Sequence, residues 1–248
     1  MTFDATPPRA PIGALRMSSL AMAGVIVAVS VPVAVATMGM STQVTDQQAQ
    51  VPIRVAGPIT RVVVDDSESD VQISGDPAVT GVDGQAVVQW KGKGGKRAVL
   101  RQSVAGGVLT LTKDCSDGAC GPIDITLTVP ASVSVQATSS NGQIVLNGVG
   151  GAAVLTTSNG GIEADGLGSA NCSFKTTNGG IDASFRGAPS RITAGTTNAD
   201  VHITTDGSTA YYDAVHVTNG TQQLSNVRDH RSPNEIDVTT ANGDVTIS

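Results

Sequence analysis

The sequence predicts an all-β protein, a parallel β-solenoid (β-helix-like) of repeats about 20 residues long, set behind one N-terminal transmembrane helix. Three observations carry this expectation. An uncharged run extends from Met17 to Met40, a Thr/Ser-Asn-Gly motif returns at a near-constant interval, and apolar residues alternate on both sides of each copy.

The run 17–40 holds 24 residues without a charge. At about 1.5 Å per residue it reaches roughly 36 Å, enough to cross a hydrocarbon core of about 30 Å. Arg9 and Arg16 precede it and the first charge after it is Asp46, so the tail 1–16 is expected in the cytoplasm and the rest outside the cell membrane. Pro32 is compatible with a membrane helix. The alternative is secretion after cleavage near Ala36, because Ala34-Val35-Ala36 has a small-x-small form. Residues 41–56 are polar and aperiodic and are expected to be a linker to an extracytoplasmic β-repeat domain over 57–248.

Within that domain Asn141, Asn159, Asn178, Asn198, Asn219 and Asn242 mark the repeat, at intervals of 18, 19, 20, 21 and 23 residues. Six and four residues before each Asn, and three and five after it, stand apolar residues, as with Ala153, Leu155, Ile162 and Ala164 around Asn159. Asp213 and Gln222, around Asn219, are the departures. The residue between the last two columns is mostly polar (Glu163, Asp182, His202, Gln223), so each repeat holds two strands with one face inward. A copy without Asn-Gly precedes these, with Val62 and Val64 before Glu68 and Val71 and Ile73 after it. Residues 75–130 are expected to be an insertion or N-terminal cap strands.

The bends carry Asn141-Gly142, Asn159-Gly160, Asn178-Gly179, Asn198 and Asn242-Gly243. Asn and Gly both tolerate positive φ, which suits a tight corner. Two architectures fit this phase: a solenoid whose Asn side chains ladder between coils about 4.8 Å apart, or a meander of antiparallel hairpins. The recurrence of one residue type in each column favours the solenoid.

Catalytic and metal chemistry is not expected. His202, His216 and His230 lack ligand partners at metal spacing, and there is no nucleophile elbow, phosphate loop or His-Glu-x-x-His motif. The loop Asp65, Asp66, Glu68, Asp70 lacks EF-hand spacing and reads as a solvated bend, so neither a metal nor a cofactor is expected. A net charge of −6, with Lys91–Arg97 as the basic cluster, excludes a nucleic-acid footprint. Cys115 and Cys120 frame a short loop and are disulfide candidates in an oxidising compartment, while Cys172 stands in an apolar column.

The stretches "VPASVSVQATSSNGQIVLNGVGG", "TTSNGGIEADG" and "TTNGGIDASFRG" resemble the bacterial proposed-adhesin β-strand-repeat family, also called toastrack domains, over roughly Ile59 to Ser248. The resemblance implies a solenoid-like exported domain and, in some relatives, a part in cell-envelope stress; it implies no catalytic motif. Together these readings make the chain a non-catalytic interaction or sensing module anchored at the bacterial cell envelope. The alternative is a surface adhesin or structural protein that binds glycan or matrix. The expected partner is another envelope or membrane protein, or a second copy joined through the edge at 244–248, because the sequence stops one residue after its last apolar column.

Overall fold

The computed structural model describes residues 46–92, 95–115, 120–168 and 171–248. The tail 1–16, the span 17–40 and the first linker residues, 41–45, lie outside the described residues. Every named element among the described residues is a strand. Seven strands precede the first Asn corner: β1 (Asp46–Val55), β2 (Arg61–Asp65), β3 (Val71–Asp76), β4 (Val82–Lys91), β5 (Val99–Ala105), β6 (Val108–Asp114) and β7 (Ile123–Pro130). Two strands then flank each corner in turn: β8 (Ser134–Thr138) and β9 (Ile144–Asn147), β10 (Ala153–Thr156) and β11 (Ile162–Leu167), β12 (Asn171–Lys175) and β13 (Ile181–Phe185), β14 (Arg191–Gly195) and β15 (Val201–Thr204). The last four are β16 (Tyr212–Asn219), β17 (Gln222–Leu224), β18 (Glu235–Asn242) and β19 (Val245–Ile247).

The two strands of each coil enter different sheets, one of ten strands and one of nine, and equivalent strands of neighbouring coils pair in parallel and in register. Ala153 lies beside Val135 and Cys172, and Ile162 beside Ile144 and Ile181. This is the solenoid, and the hairpin meander is excluded. The copy at Glu68 joins the same stack, with Val62 beside Val135 and Val71 beside Ile144.

The inward columns form one continuous buried core between the sheets. Three successive coils set a large residue against a small one across the corner. Leu155 accompanies Ala164, Phe174 accompanies Ala183 and Ile203 accompanies Ala194, all buried.

Four expectations are corrected. Residues 46–55 are not linker: they form β1, antiparallel to β4 at the edge of the ten-stranded sheet, with Ala49 and Ile53 buried. Their polar outward face hid the strand's alternation. Second, the region 75–130 is more than a cap. β4 and β5 are antiparallel additions, but β6 and β7 form a full parallel coil on β2 and β3.

Third, the coils do not stack in chain order. β6 and β7 lie outside β2 and β3 at one end, and at the other β18 and β19 insert between the β14/β15 and β16/β17 coils. The segment 244–248 therefore belongs to a strand paired on both sides and offers no free edge; the open edge belongs to β16 and β17. This also explains Asp213 and Gln222. They keep perfect register with Ile236 and Val245, and polar groups are tolerated there because the coil is terminal.

The fourth correction concerns the corner glycines. Gly142, Gly160, Gly179 and Gly243 have no positive φ, nor does any non-glycine among the described residues. Glycine is required there for a different reason, found in the site itself.

Candidate functional site

At the corners the Asn side chains form one ladder along the stack. Asn159 Nδ2 donates to Asn141 Oδ1 (2.7 Å), Asn178 to Asn159 (2.7 Å) and Asn198 to Asn178 (2.8 Å). The line then follows spatial order: Asn242 donates to Asn198 (2.9 Å) and Asn219 to Asn242 (2.9 Å). Two residues before five of the six Asn, a buried Ser or Thr hydroxyl joins the coils a second time; before Asn219 that place is taken by Val217. Thr157 Oγ1 donates to Gly142 O (3.0 Å) and accepts from Gly160 N–H (3.3 Å), and Thr176 does the same with Gly160 O and Gly179 N–H (2.9 and 3.3 Å). This hydroxyl holds each corner glycine against the carbonyl of the coil before it. A Cβ on Gly160 would lie 2.5 Å from the carbonyl carbon of Gly142, and a Cβ on Gly179 2.8 Å from Gly161 N. Close backbone approach selects glycine in this column.

The Asn side chains are exposed, so each amide bond replaces bonds to water and contributes modestly. Asn178→Ala, which removes one donated and one accepted bond, is expected to lower unfolding free energy by about 1–2 kcal/mol, read as a lower urea midpoint at unchanged m value.

In the β6/β7 coil Cys115 and Cys120 are disulfide-bonded across the corner. The acidic bend beside it is not a solvated loop. Lys113, its side chain 4% exposed, lies 3.7 Å from Asp66 and 3.2 Å from Glu68. Ser69 Oγ donates to Asp66 and accepts from Ile123 N–H, and Asp70 Oδ1 accepts from Gln143 N–H. Three of the bend's carboxylates, Asp66, Glu68 and Asp70, thus join coils. At the other basic cluster, Arg97 lies over the Trp90 ring at 5.3 Å.

The three histidines are apart. His202 lies beside Asp182 and Thr246 on the outer face, His216 is on β16, and His230 meets the Tyr212 ring edge-on at 6.4 Å. Cys172 is buried in its column. Among the described residues no three His, Cys, Asp or Glu side chains gather as metal ligands. The outer-face groove beside the corners is lined by Glu163, Asp182, Asp200 and His202. Asp200 is engaged there, accepting from Asp244 N–H (2.7 Å), while Asp244, held below the usual carboxylate range by Thr221, accepts from its amide and hydroxyl.

The terminal coil differs from the others. β16 ends the nine-stranded sheet and β17 the ten-stranded one. Its inward residues Val215, Val217 and Leu224 are only partly buried, and Tyr212 and Val227 are exposed nearby. No part of the sequence signalled this end by motif; the loss of apolar character at Asp213 and Gln222 was its one trace.

A laddered stack with satisfied corners and one uncovered coil defines a β-solenoid repeat module that presents a strand edge. Residues 59–248 match the family described as Toastrack DUF4097, and the chain belongs to that family. Among solved structures, a proposed cell adhesion protein from Clostridium sporogenes ATCC 15579 is similar at 10% identity and a TM-score of 0.50, covering 81% of this chain and 99% of that one. Proposed adhesins from Parabacteroides merdae ATCC 43184 (10% identity, TM-score 0.39, 81% and 96% covered) and Bacteroides fragilis NCTC 9343 (10%, 0.36, 82% and 97%) match less well. The first of these likenesses is one of fold. No curated protein matches the chain significantly.

Proposed function

We propose that the chain is a non-catalytic interaction or sensing module, anchored in the bacterial cell membrane by residues 17–40 and holding its toastrack domain outside. The uncovered β16/β17 coil carries this reading. Between the two ends of the stack the strands pair on both sides and the corner groups bond from coil to coil; the far end closes with the antiparallel edge strands β1 and β5, whereas β16 offers the unpaired backbone groups of a parallel coil beside half-buried valines, a surface suited to strand addition. The partner is an envelope or membrane protein.

Site-specific photo-crosslinkers at His216 and Thr218 on β16, and at Ser173 in mid-stack, test this in cells. One recurrent membrane-protein adduct from β16 and none from Ser173 is expected. Equal labelling from all three positions, or none from β16, overturns it. The adhesin alternative predicts glycan binding by the intact protein that β16 substitutions leave unchanged.

A further inference from the structure

The loop between β17 and β18 folds back as a strap over part of the open edge. Tyr212 N–H donates to Asn234 O on the inner side, so Tyr211, just before β16, and the alternate strand residues from Asp213 turn their backbone groups outward. There Tyr211 N–H donates to Val227 O (3.0 Å) and Asp229 N–H donates to Tyr211 O (2.9 Å). Beside the Tyr212–His230 ring contact and the Ser225 Oγ bond to Ile247 O, a buried pair holds the strap to β16: Asn226 Nδ2 donates to Asp213 Oδ1 at 3.3 Å. Asn226 is 9% exposed. The other oxygens of this pair, Asp213 Oδ2 and Asn226 Oδ1, are both buried and both without a hydrogen-bond partner.

Two carboxylate oxygens and one amide oxygen cannot satisfy each other, since all three only accept. A proton on Asp213 Oδ2 changes this. Its O–H can then donate to Asn226 Oδ1 while Asn226 Nδ2 donates to Asp213 Oδ1, closing a two-bond acid–amide ring. We propose that Asp213 and Asn226 form a proton-operated latch that fastens the strap 225–231 over the β16 edge in acid and loosens it as the carboxyl ionises. The latch regulates the edge on which the proposed function rests, but it acts without a partner.

Burial raises the Asp213 carboxyl above its ordinary value of 3.8, against the lowering effects of Asn226 and the nearby Arg228 guanidinium. The sign follows. A carboxyl raised in the folded state contributes fully below 3.8, and its contribution is lost as pH rises through the raised value. Other ionisable groups face the pair as follows. Tyr211, buried two residues before Asp213, is pushed up to about 12 by burial and then by Asp206, so it stays neutral. On the strap, Arg228, Asp229, His230 and Arg231 are exposed. On β18, Ile236 lies opposite Asp213, while Glu235 and Asp237 alternate to the outer face, Glu235 paired with Arg191. β17 contributes uncharged Gln222 and Leu224.

Amide hydrogen exchange of the full-length protein in detergent, at pH about 3.5 and about 8 and corrected for intrinsic rates, tests the latch. In the wild type, protection across 225–231 is expected to be about tenfold higher at the acid pH, the effect of roughly one net hydrogen bond. Asp213→Asn supplies the donor permanently, so the strap should be protected at both pH values; Asp213→Ala should leave it open at both. Strands β10 and β11 should exchange alike in all three proteins, which establishes that the stack is folded. Wild-type protection that does not change with pH, or Asp213→Asn that keeps the wild-type pH dependence, overturns the proposal. Neither readout involves a partner, so loss of the docking reading would leave this result standing.

Discussion

Gly160→Ala is expected to destabilise the protein by about 3 kcal/mol or more, for one added methyl group on a surface corner. The methyl has no flexible neighbour to displace. It would meet the carbonyl of Gly142, which is pinned because its oxygen accepts from Thr157 Oγ1 (3.0 Å). Relief requires the corners to part, and parting them stretches the Asn141–Asn159 bond and the buried Thr157 bond together. Urea unfolding reads the loss. Gly161→Ala, next in sequence, is the control: a Cβ there meets nothing closer than Gly180 O at 3.5 Å and should cost less than about 1 kcal/mol. Equal effects at the two positions would show that backbone freedom, not close approach, selects glycine here.

Lys113→Met should cost about 3 kcal/mol by a different cause. Lys113 and Asp66 have side chains 4% and 1% exposed, so neither charge has water to fall back on. Removing the ammonium leaves Asp66 with the Ser69 hydroxyl and Glu68 N–H as its donors. The penalty is the uncompensated carboxylate, so Asp66→Asn in the same chain should recover most of it. Thermal unfolding of the two single variants and the double variant forms the cycle. Additive losses would show that the two groups do not compensate each other.

Much of the architecture was legible because a solenoid writes its cross-section repeatedly. Period-two alternation around each Asn gave the inward columns, and even the Asn-free coil at Glu68 obeyed them. The β6/β7 coil escaped notice for a local reason. Leu109 and Leu111 precede Cys115 by the usual six and four residues, but Ile125 and Leu127 follow it by ten and twelve instead of three and five. The longer corner, closed by the disulfide, broke the register. Coil order was illegible for a deeper reason. Every coil presents the same parallel edge, so nothing local tells β14 whether β16 or β18 is its neighbour. The latch was half visible: Asp213 was out of character in its column, but its partner Asn226 lies in a loop with no periodicity to mark it.

The interleaved order of the last two coils bears on assembly. β16 and β17 emerge before β18 and β19, yet they occupy the layer beyond them. While the chain is being made, β14 and β15 expose a strand edge that β16 and β17 match in register but must leave vacant for later residues. Premature docking would be a trapped isomer, one layer short, with the final strands left outside. The finished arrangement has the reverse property: the outermost layer is a closed excursion whose two chain ends both return into the stack, so it cannot unravel from a loose end.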